Sequence, residues 1–435
     1  MIQSVVVTAS VLPADGDITP IVTQLVIQLA IILIAAKLGG ELCTRFLHIP
    51  PVLGELAAGV IIGPHLLGGM PIFGWEAFPA IPDGGVIPVS PELWSIAQVA
   101  SIVLLFFVGL ELKLQAFLRY AGPATAVALG GVLLSFILGM VGTVVMGHAE
   151  SFTDAQALFM GAIMTATSVG ITARVLSDLG AMDSSEGVTV IAAAVVDDVL
   201  GIIVLTVVVG IHAAGGVSAS NVGIVAAKAL GFWLGLSVIG TLVAPYIARG
   251  ISAMRVRGAS VALFLGLAFL AAGLAETFGL AFIIGAFSMG LALSGTSLAK
   301  ELEEPLSAVY EALVPVFFVV MGTLVDVSSM VDTIVFGVVI TLLAIGGKVI
   351  GGMVPAFFTG FNLRGSSRVG VGILPRGEVA LIIAGIGLAE GIIGEEVFGV
   401  SILMTVVTTI LAPMGLVLLY RNKAEGRRLP HGQRA

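Results

Sequence analysis

Long unbroken apolar runs, rather than alternation of apolar and polar residues, dominate this chain. Thirteen runs of span length lie near 18–36, 51–70, 94–112, 122–147, 155–177, 187–211, 222–248, 259–277, 279–296, 311–326, 331–358, 370–390 and 397–420. A helix of about 20 residues crosses a hydrocarbon core of about 30 Å. Helices also satisfy their own backbone hydrogen bonds, which lipid cannot do. The pattern therefore predicts an all-α polytopic membrane protein of about 13 transmembrane helices. Two cuts are weakly marked: the eighth and ninth runs are parted only near Phe278, and the tenth is short.

Composition agrees with this reading. The 435 residues are 58% hydrophobic and 11% charged, against about 25% charged in a soluble domain. One cysteine, Cys43, excludes an internal disulfide and a thiolate metal cage. The five histidines are scattered without a ligand spacing, and no basic cluster is dense enough for nucleic acid. No resident cofactor is expected.

Charge tests the span assignment independently, because alternate loops must share a side. Sixteen of the 19 Lys and Arg residues fall on one side and none on the other, whose loops carry Glu76, Asp83, Glu92, Glu150, Asp154, Asp326, Asp332, Glu395 and Glu396. The positive-inside rule then places the C-terminus in the cytoplasm and the N-terminus outside, in a bacterial-type inner or plasma membrane. Residues 1–17 are expected to be an external tail. They lack the positive start of a cleaved signal peptide. Residues 421–435 are expected to be a short cytoplasmic tail, with no nucleotide-binding domain.

The remaining basic residues, Lys228, Lys348 and Arg376, lie inside spans. So does the doublet Asp197–Asp198, in the sixth run. A carboxylate at membrane depth costs roughly 2.5–3.5 kcal/mol on insertion scales and points to an ion or proton site. Neighbours on a helix diverge by about 100°, so one aspartate can face an ion path while the other meets a partner. Lys348, flanked by Gly346, Gly347, Gly351 and Gly352, sits where helices can approach closely. Burial disfavours an isolated charge of either sign, so an Asp–Lys pair in a partly wet cavity can exchange a proton. A permanent salt bridge is the alternative. Lys228 reads as a snorkelling side chain.

Two spans look interrupted. The fifth carries Thr165, Thr167 and Ser168 in the stretch TATSVG, and the twelfth carries Pro375-Arg376-Gly377-Glu378. Proline removes a backbone donor and glycine loosens the chain. The two spans are seven apart in order, and an odd offset means opposite orientation. Broken helices at matching positions of inverted repeats mark the binding site of secondary transporters. Arg376 and Glu378 are expected to neutralise each other and the helix ends.

The stretches TATSVGITARVL, VVDDVLGI, GGK and PRGEVALI, with PPVLGELAAGVIIGP in the second span, resemble the monovalent cation/proton antiporters of the NapA-like branch. The resemblance covers essentially all the spans. It implies inverted repeats with two crossed discontinuous helices, a core near 94–211 and 311–420, dimerisation helices from the remaining spans, and a homodimer. It also implies electrogenic exchange of Na⁺, or Li⁺, for H⁺, serving pH homeostasis. By position, Asp198 matches the aspartate that binds cation or protons, Asp197 the aspartate paired with the lysine, and Lys348 that lysine. Thr167 lies at the crossover and would offer oxygens; Arg376 and Glu378 match the charged pair of the second crossover. The transported Na⁺ would be held by Asp198 and Asp197. K⁺/H⁺ exchange is the alternative, and a sodium-coupled organic solute carrier a more distant one. An intramembrane aspartyl protease fits poorly, because its carboxylates must converge from different helices.

Overall fold

Most helix ends lie near a glycine, a proline or a charged residue. The computed structural model describes residues 18–47, 50–70, 89–214, 219–278, 280–324, 334–389, 391–421 and 426–427. The expected N-terminal tail, most of the expected C-terminal tail and most of the loop after the second span lie outside these residues. In chain order the helices are α1 (Thr19–Leu42), α2 (Pro51–Ile62), α3 (Pro91–Glu111), α4 (Leu114–Val145), α5 (Ala155–Thr165), α6 (Val169–Asp178), α7 (Ser185–Ala214) and α8 (Ala219–Ser252). They continue as α9 (Ala259–Thr277), α10 (Phe282–Leu293), α11 (Ser297–Thr323), α12 (Ile334–Phe358), α13 (Leu363–Gly372), α14 (Glu378–Ala389) and α15 (Glu395–Tyr420). Among the described residues the only β-type pairing is an isolated bridge between Phe361 and Arg427.

Among the described residues, eleven helical stretches are long and apolar enough to cross a membrane, and two shorter apolar helices, Phe282–Leu293 and Val379–Leu388, accompany them. Two helices start well before the apolar runs that announced them. α4 begins at Leu114 rather than near 122, and α11 begins at Ser297 rather than near 311. The early part of α11 is amphipathic. Leu298, Leu302, Leu306 and Tyr310 are buried, while Lys300, Glu301, Glu303 and Glu304 are exposed. Their spacing follows the helical period, but the charges hide it from a hydropathy window. Lys228 is exposed on α8, as a snorkelling residue would be.

The chain divides into two compact units, Met1–Ser101 with Glu311–Asp326, and Ile102–Tyr310 with Val327–Ala435. In the first, α1 and α2 touch backbone to backbone. A Cβ on Gly54 would lie 2.0 Å from the Gly39 carbonyl oxygen, and one on Gly59 would lie 2.1 Å from that of Val319. The second holds every charged candidate of the sixth, eleventh and twelfth spans. Its apolar centre joins α5, α12, α14 and α15 through Phe159, Ile163, Met164, Ile340, Ala344, Ile383, Val400 and Met404.

The most extensive helix–helix packing in this second unit is α4 against α12. It depends on facing glycines. A Cβ on Gly351 would lie 2.5 Å from the Gly130 carbonyl oxygen, and one on Gly130 would lie 2.3 Å from that of Gly351. Without side chains the helices pack at backbone distance. Gly351→Leu is expected to force them apart and to lower the thermal midpoint of the detergent-solubilised protein by the equivalent of about 1–3 kcal/mol or more. Gly346→Leu is the control, because a Cβ there meets nothing within 4 Å. Equal midpoints for the two variants would refute the close-packing account.

Candidate ion-binding site

α5 stops at Thr165 because the next residues leave helical geometry. Ala166 is extended, with φ −60° and ψ 142°, and Ser168 enters α6 with φ −85° and ψ 107°. Thr and Ser here compete with the helix for backbone partners. α13 stops at Gly372, and the chain stays irregular until α14 starts at Glu378. Pro375 cannot donate to a helical ladder. Gly377 lies so close to the first break that a Cβ would fall 2.8 Å from Ser168 Oγ.

The two interruptions meet and satisfy each other. Ser168 N–H donates to the Pro375 carbonyl at 2.8 Å, Thr167 Oγ1 to the Ile373 carbonyl at 3.2 Å, and Thr172 Oγ1 to the Gly372 carbonyl at 2.8 Å. Irregular backbone at membrane depth persists where protein encloses it. Thr165 Oγ1 turns back to the Ala162 carbonyl of its own helix.

Arg376 is fully buried, and its guanidinium donates to the carbonyl of Ala166 at 2.6 Å and to that of Ala344 at 3.5 Å. Its positive charge thus lies at the C-terminal end of α5, where helix carbonyls converge and a cation is favoured. From the sequence, Arg376 and Glu378 are expected to neutralise each other and the helix ends; the Glu378 side chain lies outside the described ones.

The aspartates and the lysine come together beside these breaks. Asp197 and Asp198 on α7 are 3% and 4% exposed, and Lys348 on α12 is 0% exposed. Lys348 Nζ donates to Asp197 Oδ1 at 2.8 Å. Among the described side chains, Asp198 and Arg376 also act on this ammonium. Lys348 reaches α7 past Gly131 of α4, where a Cβ would lie 3.7 Å from Nζ. Among the described side chains, the site therefore gathers two carboxylates and two cations in a region of buried, hydrogen-bonded backbone breaks. Thr167 contributes a hydroxyl whose proton is engaged by the Ile373 carbonyl, so its oxygen can still accept.

A second buried ion pair was not singled out by the sequence pattern. Arg368 on α13 donates to Glu186 at the start of α7 at 2.6 Å, and both are 3% exposed. Arg368 had read as one of the loop cations. The available signal was Glu186, an acid on the side where basic residues gather. Arg174, also read as a loop cation, lies within α6 and is 9% exposed. It pairs with Asp178 at 3.4 Å and stacks over Tyr310.

A helical membrane protein with discontinuous helices around buried ionisable side chains has the build of a secondary transporter. Residues 29–421 match the family model described as sodium/hydrogen exchanger, transmembrane, and the chain belongs to that family. It is 35% identical to the high-affinity Na(+)/H(+) antiporter NhaS3 of Synechocystis sp., over 95% of this chain and 94% of that protein. It is 36% identical to the Na(+)/H(+)-K(+) antiporter GerN of Bacillus cereus, over 89% of this chain and 94% of that protein. Its fold is similar to that of the sodium proton antiporter MjNhaP1 from Methanocaldococcus jannaschii, with a TM-score of 0.71 at 20% identity, covering 95% of this chain and 100% of that one.

Proposed function

We propose that this chain exchanges Na⁺, or Li⁺, for H⁺ across a bacterial-type inner membrane by alternating access, with its C-terminus in the cytoplasm and as a homodimer. The observation that carries the reading is the fully buried Lys348–Asp197 bridge beside Asp198 and the meeting breaks. The names of its relatives NhaS3 and GerN support Na⁺ as cargo.

Cation and protons compete for the same carboxylates. In one facing, deprotonated Asp198 takes Na⁺, helped by Asp197 and oxygens near Thr167. An approaching cation draws Asp197 away from Lys348, and the lysine gives up its proton. In the other facing, protonation of the aspartate and lysine expels Na⁺. A site that has released both the cation and the protons holds two bare carboxylates, and crossing an apolar barrier in that form is costly. This couples the two fluxes. Two titrating groups exchanged for one cation give two H⁺ per Na⁺ and net charge movement.

The test is purified protein in proteoliposomes carrying a pH gradient. Addition of Na⁺ or Li⁺ is expected to dissipate the gradient, faster when an imposed potential favours the net charge movement. No response to either ion would overturn the proposal. The same assay with K⁺ tests a second reading, because the relative GerN is named a Na(+)/H(+)-K(+) antiporter. Lys348→Gln is expected to retain cation-driven proton movement but lose its dependence on potential. If that variant still moves net charge in each cycle, Lys348 is a structural cation.

A further inference from the structure

Ser135 on α4 is fully buried, and its hydroxyl has no hydrogen-bond partner among the described residues. This sets it apart from its neighbours in the same unit. Thr143, Thr341, Ser401, Thr405 and Thr408 each donate to the carbonyl four residues back in their own helix, at 2.6–2.8 Å. Ser135 forgoes that bond and faces α12 instead. A Cβ on Gly347 would lie 2.9 Å from both its Oγ and its Cα. The hydroxyl therefore sits against the residue that immediately precedes Lys348. Gly131, one turn earlier on the same face of α4, lies alongside the lysine itself, with a Cβ position 3.5 Å from Cδ and 3.7 Å from Nζ.

Lys348 has one hydrogen-bond partner among the described residues, Asp197. Any step that moves Asp197 onto a cation leaves a buried nitrogen without it. A buried nitrogen left unsatisfied carries the full desolvation penalty. A serine hydroxyl suits either protonation state, since it accepts from an ammonium and donates to the lone pair of an amine. Gly131 and Ser135 lie one turn apart on the face of α4 that packs against Lys348 and the residue before it.

We propose that Ser135 is the alternate partner of Lys348. When the bridge to Asp197 opens, the Ser135 hydroxyl donates to the deprotonated amine and so stabilises the cation-loaded form. Ser135 is a positioning residue acting through the lysine, and this role rests on the exchange reading above.

The experiment measures Na⁺-driven proton exchange in proteoliposomes at fixed pH for the wild type, Ser135→Ala, Lys348→Gln and the double variant. Ser135→Ala is expected to raise the apparent KM for Na⁺ about three- to tenfold, the scale of one hydrogen bond to a neutral partner. The maximal rate and the thermal midpoint are expected to stay near wild type, because a buried hydroxyl without a partner adds no folding stability. In the Lys348→Gln background the same substitution is expected to leave KM unchanged. Ser135→Cys, which keeps the volume with a weaker donor, is expected to fall between, and it replaces the alanine variant should that one fail to fold. An unchanged KM in Ser135→Ala, or an equal rise with and without the lysine, overturns the role of Ser135 while leaving exchange intact. A wild type that responds to no monovalent cation overturns both.

Discussion

Asp198→Asn is expected to reduce Na⁺-driven proton exchange to the level of empty liposomes while the protein still folds. The carboxylate is 4% exposed on α7, in the run that also carries Asp197. Asparagine has nearly the same shape but neither releases a proton nor presents a full negative charge. A Na⁺ ion stripped of water needs that charge, and coupling needs a group that gives up a proton in exchange. Folding does not suffer in the same way. An aspartate at membrane depth costs roughly 2.5–3.5 kcal/mol on insertion scales, so neutralising it is expected to keep or raise the thermal midpoint in detergent. The two readouts must part: activity falls to background and stability does not. Exchange at wild-type rates in a stable variant would remove Asp198 from the site. Collapse of stability with activity would make it a structural group.

The sixth and eleventh spans disclosed their chemistry in the sequence because a charge inside an apolar run is costly and needs a partner or a use. Asp197, Asp198 and Lys348 stood out on that ground, and they come together in space. The two breaks were legible for a related reason. Thr167, Ser168, Pro375 and Gly377 are each poor at continuing a helix, and they cluster in runs otherwise suited to one. What the breaks bond to was not legible. Arg376 reaches the Ala166 carbonyl, and a backbone acceptor leaves no mark in a sequence. The start of α11 was missed because Lys300, Glu301, Glu303 and Glu304 lower its hydropathy, although Leu298, Leu302 and Leu306 keep the helical period. Arg368 was misread because charge near the end of a span looks the same whether it faces water or a buried acid. Ser135 gave no signal, since a lone serine in a membrane helix ordinarily bonds its own backbone.

The Arg368–Glu186 pair is expected to behave oppositely to Lys348–Asp197, and the reason is how completely each is satisfied. Arg368 donates to Glu186 at 2.6 Å and to the Leu419 carbonyl at 3.3 Å, and its guanidinium lies 4.4 Å from the Tyr420 ring centroid. Glu186 accepts in addition from Ser185 Oγ at 2.7 Å. The pair ties α13 to α7 and to the end of α15. Arg368→Met leaves Glu186 buried without its partner, which ordinarily costs about 3–5 kcal/mol. The thermal midpoint should fall accordingly. Glu186→Leu combined with Arg368→Met should recover most of that loss, because replacing both members of a buried pair by apolar groups is often neutral. Below their melting transitions all these variants should keep the wild-type KM for Na⁺. A single variant with an unchanged midpoint would show the pair to be dispensable. A stable variant with an altered Na⁺ KM would place Glu186 and Arg368 on the ion path instead of in the scaffold that holds it.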